Sequence, residues 1–271
     1  MYKAVFLDMD GTLLRTDHSV SEPTQSAIRK LVARGIPVIL VSARPLNAIL
    51  PTAGELGLLD YPIVTLNGGY IVEGEKPVFQ AIVDLATTAK VTAEVRPFKA
   101  TIAYYLQTEW YSEINDPWTA HEQKIMDVLL KVAPIDELIS NWSARHTGPN
   151  KMMVMGEPEN IQRIQEHLKS LFGESLNIYP SKPTYLEVME PQASKANALR
   201  FLIERMKLGR TEIIAMGDNY NDKEMIRFAG TGVAMGNAPD EIKAVADYVT
   251  DTNNNDGVLK ALQHFFGDLG I

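Results

Sequence analysis

Asp8 and Asp10 stand two residues apart in Asp8-Met9-Asp10-Gly11-Thr12, directly after the apolar run Ala4-Val5-Phe6-Leu7. Paired carboxylates beside a glycine that permits a sharp turn suit a hard divalent cation such as Mg2+. An aspartate carboxylate can also attack a phosphoryl group. Read plainly, the same residues form an Asp/Gly-rich surface turn. Ser42 ends a second apolar run, Val38-Ile39-Leu40-Val41, and is followed by Ala43 and Arg44. A hydroxyl and free N–H groups at a strand end can hold a phosphoryl oxygen; the plain reading is a helix cap. Lys195 falls in the first turn of a helix, where a cation opposes the dipole and calls for a nearby anion; alone it could be an exposed lysine. Gly217-Asp218-Asn219-Tyr220-Asn221-Asp222 places two acids four residues apart at another strand end. Asp218 could ligate a metal, with Asn221 and Asp222 orienting it or a phosphate from behind; the plain reading is turn formers and a helix N-terminal charge.

The elements that must position these residues follow a regular grammar. The spacing predicts a helix over Ser21–Arg34, with Ser21 as its cap and Gly35 as its stop, and another from about Pro45 to Leu56. Ile63–Leu66 reads as a third strand, ending at Asn67-Gly68-Gly69. Near the C-terminus Ser194 caps a helix running to about Lys207, and Glu212–Met216 is a strand. A further helix starts near Asp222, and Gly232–Met235 is another strand. Pro239–Ala246 reads as a helix, Tyr248–Thr250 as an edge run, and Asn253–Gly257 as a polar turn before the last helix. Continuous apolar runs separated by helices indicate a parallel sheet covered on both faces. All four clusters then lie at one edge of that sheet, where ligands bind in open α/β folds.

Residues 82–186 differ. Helical patterns over Thr119–Val132 and Pro158–Phe172 mix with strands at Lys151–Met155 and Tyr185–Met189, and aromatics are frequent. The expected architecture is α/β: a Rossmann-like parallel-sheet core from residues 1–81 and 187–271, with helices on both faces, and an inserted α+β domain over 82–186.

Asp-x-Asp-Gly-Thr, a strand-end Ser, a lone Lys and Gly-Asp-x-x-Asn-Asp, in this order from Asp8 to Asp222, resemble the haloacid dehalogenase superfamily. The insertion between Ser42 and Lys195, and Asn67-Gly68-Gly69 before it, resemble its Cof-type sugar phosphatases with a large α/β cap. Ser42-Ala43-Arg44 replaces the commoner Thr-Gly-Arg, and Lys195-Ala196 the commoner Lys-Gly; neither removes a reacting group. The resemblance implies Asp8 as nucleophile and Mg2+ ligand, and Asp10 as general acid then base, its carbonyl meeting the metal. It implies Ser42, Lys195 and Asn221 at the phosphoryl oxygens, Asp218 as a further ligand, and Asp222 behind it. The implied activity is Mg2+-dependent hydrolysis of a small phosphorylated metabolite, foremost a sugar phosphate. A phosphosugar phosphotransferase or mutase, or a non-catalytic phosphometabolite-binding protein, are the alternatives.

Composition trims the field. Lys and Arg total 26 against 34 Asp and Glu, a net charge of −8, which suits a partner other than nucleic acid, since phosphate backbones need clustered cations. The absence of cysteine excludes thiol catalysis and thiolate metal sites. Two acids within the first ten residues argue against a signal peptide, and no apolar run is long enough to span a membrane; a cytoplasmic protein is expected. Substrate selectivity is expected from Arg44, Trp110, Arg145, His146, Lys151 and Tyr185, with Tyr111 and Trp142 as further aromatics. For the aromatics the plain reading is core of the inserted domain; for the charges, solvated surface.

Overall fold

The computed structural model describes residues 2–126, 128–267 and 270–271. It divides into two compact units. One comprises Met1–Ala43, Ile49–Val78 and Ser194–Ile271; the other comprises Arg44–Ala48 and Phe79–Ala193.

The chain enters the first unit through β1 (Ala4–Asp8), α1 (Glu22–Ala33), β2 (Val38–Val41), α2 (Leu50–Leu56), β3 (Pro62–Thr65), β4 (Tyr70–Glu73) and β5 (Lys76–Gln80), whose last two residues already count with the second unit. The inserted unit contributes α3 (Leu85–Val95), β6 (Thr101–Leu106), β7 (Glu109–Ser112), α4 (Pro117–Met126), β8 (Leu130–Val132), α5 (Ile135–Ala144), β9 (Lys151–Met155), α6 (Pro158–Phe172), β10 (Asn177–Lys182) and β11 (Tyr185–Met189). The chain then returns through α7 (Lys195–Arg205), β12 (Ile213–Gly217), α8 (Lys223–Phe228), β13 (Thr231–Ala234), α9 (Asp240–Lys243), β14 (Tyr248–Val249) and α10 (Gly257–Phe266).

The first unit is built on an eight-stranded sheet in the order β14-β13-β12-β1-β2-β3-β4-β5. Pairings from β14 to β3 are parallel, and β4 turns back antiparallel against β3. Every residue of β1, β2, β3 and β12 is buried, which is why these strands read as unbroken apolar runs rather than alternations. From β1 the chain winds outward through β2 and β3, then resumes on β1's other side with β12. The strand order reverses there, and β1 and β12 end in Asp8 and Gly217-Asp218, at the crevice that such a reversal opens.

Two expected helices change shape. The helix over Pro45–Leu56 breaks into a 3-10 turn at Leu46–Ala48 and the shorter α2. Pro51 lacks an N–H and would crowd the carbonyl four residues back, so it sits in the first turn of a restarted helix. The helix over Thr119–Val132 ends as α4 at Met126, and Leu130–Val132 pairs in parallel with Trp110–Ser112 instead. Asp127, within that expected helix, lies outside the described residues. Strand pairing overrides local helical pattern here.

The inserted unit carries its own six-stranded sheet, ordered β10-β11-β9-β6-β7-β8. Alternation along its strands splits the faces. Tyr104, Met152, Val154 and Val188 pack with Trp142 of α5, Val91 of α3 and Ile164 of α6 into one apolar core. Their neighbours Tyr105, Lys151 and Glu187 point to the opposite face.

Candidate active site

Asp8, Ser42, Lys195, Asn221, Asp218 and Asp222 all belong to the first unit. Asp8 is the last residue of β1, and both its position and that of Ser42, one residue past β2, leave them buried. The turn after β1 is tight: Leu13 N–H donates to the Asp8 carbonyl at 3.3 Å and Leu14 N–H to the Met9 carbonyl at 2.8 Å. Gly11 sits in that turn at φ +81°, and a Cβ there would lie 2.4 Å from Asp218 Oδ2. No residue with a side chain lets the turn come so close to the second acid.

Lys195 opens α7, whose N-cap Ser194 accepts from Asn197 N–H. Its side chain is only 1% exposed, and its Nζ donates to Asp8 Oδ1 at 2.6 Å and to Asp222 Oδ1 at 2.5 Å. These two carboxylates supply the anion that a cation at a helix N-terminus needs. Burial by itself would lower the Lys195 ammonium; Asp222 and Asp8 outweigh it and raise it, so the lysine stays charged.

Asp218 is held on both oxygens. Thr12 Oγ1 donates to Oδ1 at 3.0 Å, and Asn237 Nδ2 donates to Oδ2 at 3.4 Å and to the Gly11 carbonyl at 2.9 Å. Asn237 is in turn fixed by the Asn253 N–H, which donates to its Oδ1. The sequence reading passed over Asn237, yet it follows the end of β13, the same place relative to a strand that marked the other clusters. Asn221 Nδ2 donates to Asn67 Oδ1 at 3.0 Å.

Asp8, Asp218 and Asp222 each offer an oxygen within 4.8 Å of the others. At that spacing two like charges repel by roughly 3–4 kcal/mol for an effective dielectric near 20. Burial first, then Asp222 and Asp218, push the Asp8 carboxyl well above the usual carboxylate range, against the pull of Lys195. Burial and Asp222 push Asp218 up to about 6. Such a strained set of hard oxygen donors fits a divalent cation. Asp222 is not free to serve it: Oδ1 is taken by Lys195, and Oδ2 accepts the Asp218 and Asn219 N–H groups, each at 3.0 Å. Asp8 and Asp218 are therefore the two that could hold a cation, while Asp222 ties Lys195 to the β12 turn. Asp10 lies outside this carboxylate group, and its side chain is exposed.

The residues expected to set selectivity belong to the inserted unit. Arg44 is half-buried in the short stretch that groups with it. Arg145 pairs with Glu109 at 2.7 Å and His146 is exposed at φ +52°, both just past α5. Trp110 and Trp142 are fully buried. Tyr111 is also buried and meets Trp142 edge to face. Lys151 and Tyr185 are buried on the second face of the sheet. Lys151 Nζ lies 3.7 Å from Glu187 and over the Tyr105 ring, while Tyr185 donates to Glu122 at 2.6 Å.

A doubly wound sheet whose strand ends gather three aspartates and a buried lysine defines a phosphoryl-transfer site of the Rossmann-like class. The description of the haloacid dehalogenase-like hydrolases matches residues 5–262. A Haemophilus influenzae protein with a provisional phosphatase name is 36% identical, over 98% of this chain and 99% of its own. The 5-amino-6-(5-phospho-D-ribitylamino)uracil phosphatase YcsE of Bacillus subtilis is 31% identical, over 97% and 95%. Among solved structures, a haloacid dehalogenase-like hydrolase from Bacteroides thetaiotaomicron superposes with a TM-score of 0.89 at 30% identity, covering 98% of this chain and 100% of the other. The subclass IIB sugar phosphatase BT4131 superposes at 0.83 with 25% identity, covering 97% and 98%. The chain belongs to the haloacid dehalogenase-like hydrolases, in their Cof-type branch, and is an enzyme of the phosphatase type. Among the described residues no helix is long and apolar enough to cross a membrane.

Proposed function

We propose that the protein hydrolyses a small phosphorylated metabolite, foremost a sugar phosphate, through a phosphoryl-enzyme intermediate on Asp8, with Mg2+ as the cation. The observation that carries this is the buried Asp8 carboxylate at the end of β1, with Lys195 on one oxygen and Asp218 beside it. The substrate class is supported by the sugar phosphatase among the structural neighbours and by a relative named for a ribityl phosphate ester.

Asp8 attacks the phosphorus in line with the ester oxygen; the Asp8–phosphorus bond forms as the ester bond breaks. Asp10, two residues on, gives its proton to the departing alkoxide. It then takes one from the water that attacks the phosphoryl-aspartate, releasing inorganic phosphate and restoring Asp8. Lys195, Ser42 and Asn221 bind the phosphoryl oxygens and hold them in line. Asp8, Asp218 and the Asp10 carbonyl would hold the divalent cation, which would supply the charge neutralisation that an anionic nucleophile needs to meet an anionic ester.

The test is phosphate release from a panel of hexose, pentose, ribityl, triose and nucleotide phosphates, with and without Mg2+, alongside Asp8→Asn. Mg2+-dependent turnover abolished in the variant is expected. Near-normal turnover by Asp8→Asn would sink the mechanism. A phosphorylated acceptor formed from an added sugar, with no oxygen from isotope-labelled water and no inorganic phosphate released, would show transfer to another hydroxyl instead.

A further inference from the structure

Three consecutive residues after β3 take left-handed backbone angles: Leu66 at φ +50°, Asn67 at +54° and Gly68 at +91°. For leucine this is a true outlier, and such a conformation persists only where the surroundings over-determine it. The surroundings here are the phosphate-binding residues. Asn67 N–H donates to the Ser42 carbonyl at 2.9 Å, and Ser42 N–H donates to the Val64 carbonyl, also at 2.9 Å. Asn67 Oδ1 accepts from Asn221 Nδ2 at 3.0 Å. Gly68 lies against the N-cap of α7: a Cβ there would stand 2.4 Å from the Ser194 carbonyl oxygen, one residue before Lys195. One strained turn thus touches the backbone of Ser42, the side chain of Asn221 and the start of the Lys195 helix. Asn67 itself is buried.

We infer that the Leu66–Gly68 turn sets the geometry of the phosphoryl pocket, with Asn67 a positioning residue that acts through Asn221 and Gly68 the contact that seats Lys195. The inference rests on the phosphate-site reading above. Asparagine suits the position because it tolerates left-handed angles and offers a side-chain acceptor. Glycine is required next, because any Cβ would push the Ser194 carbonyl back by about 0.6 Å or more in a close-packed region.

The experiment titrates orthovanadate, a phosphate mimic, into the Mg2+-loaded full chain by calorimetry, with Mg2+ titrated separately. The variants are Asn67→Gly, Asn221→Ala, their double, Gly68→Ala and Lys195→Met. Asn67→Gly keeps the backbone freedom and removes the side chain that accepts from Asn221. Loss of one orienting hydrogen bond is worth about tenfold, so Asn67→Gly and Asn221→Ala should each bind vanadate about tenfold more weakly, with Mg2+ affinity unchanged. The double variant should lose no more than Asn221→Ala alone, about tenfold, because Asn67 acts only through Asn221. Gly68→Ala should lose about a hundredfold in vanadate affinity and in kcat while still melting cooperatively; if it does not fold, the Asn67 arm decides. Wild-type vanadate affinity in Asn67→Gly, or an additive loss near a hundredfold in the double variant, overturns the inference. If Lys195→Met binds vanadate like wild type, the phosphate-site reading falls and takes the inference with it. Loss in Lys195→Met with none in Asn67→Gly overturns the inference alone.

Discussion

Gly11→Ala perturbs the site at one point and separates two effects. The residue sits at φ +81°, where an alanine costs about 1–2 kcal/mol of backbone strain. Its new Cβ would stand 2.4 Å from Asp218 Oδ2 and 2.8 Å from Cγ and Oδ1. Ordinary contact needs about 3.4 Å or more, so the carboxylate must retreat by about 1 Å. Retreat breaks the hydrogen bond from Thr12 and draws Asp218 away from Asp8. A displacement of that size costs about a hundredfold in rate, and loss of support around a metal ligand costs about 10–100-fold in metal affinity. Gly74→Ala is the control: Gly74 has φ +61° and nothing within 4 Å of its would-be Cβ, so it carries the strain without the clash. Both variants should lose about 1–2 kcal/mol to strain in urea unfolding, and Gly11→Ala about 1 kcal/mol more for the broken hydrogen bond. Gly11→Ala alone should lose about a hundredfold in kcat/KM and at least tenfold in Mg2+ affinity by calorimetry. If Gly11→Ala bound Mg2+ and turned over as Gly74→Ala does, the claim that this turn seats Asp218 would be wrong.

Three further outcomes follow from the same geometry. Asp222→Asn cannot accept from Lys195 on one side and from two backbone N–H groups on the other, so unfolding should show a loss of about 3 kcal/mol or more; unchanged stability would deny Asp222 its clamping role. Asp218, pushed up to about 6 from an unfolded value near 3.8, favours the cation-free fold while protonated, and that contribution is lost as pH rises through about 6. Added Mg2+ should therefore raise the melting temperature more at about pH 7.5 than at about pH 5, and an equal rise at both would contradict the assignment. In the inserted unit, Lys151→Ala leaves Glu187 buried without its cation and should cost about 3 kcal/mol, whereas Lys151→Met with Glu187→Gln should recover most of it, since glutamine still accepts from Tyr179; equal loss in both would show that packing, not charge, governs the position.

Much of this was legible in the chain because the relevant signals are local. The helix and strands at Pro158–Phe172, Lys151–Met155 and Tyr185–Met189 match the expected spans: one is a long periodic helix with proline in its first turn, the others buried strands. The polar cluster was legible because each of its residues follows a buried apolar strand or opens the helix beside one, and the fold gathers those ends. What escaped depends on partners distant in sequence. Leu130–Val132 becomes a strand only because β7 is there to pair with it. Asn237 matters only because Gly11 and Asp218 stand opposite, 226 and 19 residues away along the chain. Leu66 looks like the last residue of an apolar strand, and nothing in its type announces a left-handed turn.

That last miss bears on how the site works. Three aspartates and one lysine leave the centre two charges negative without a cation, close to neutral with a divalent one, and ready for a dianionic phosphate only if further donors are in place. Under the proposed function those donors are Ser42 and Asn221, which act with Lys195, and the three come from separate stretches of chain. Electrostatics can attract the phosphate but cannot hold three donors in one arrangement, because each attraction is nearly indifferent to small shifts. Directional contacts can. The turn at Leu66–Gly68 supplies them, in a conformation that an unconstrained chain would leave. Its strain is therefore the counterpart of the site's order: relaxing the turn frees the donors, and a site with free donors keeps its charge while losing its selectivity for the transition state over the bound ester.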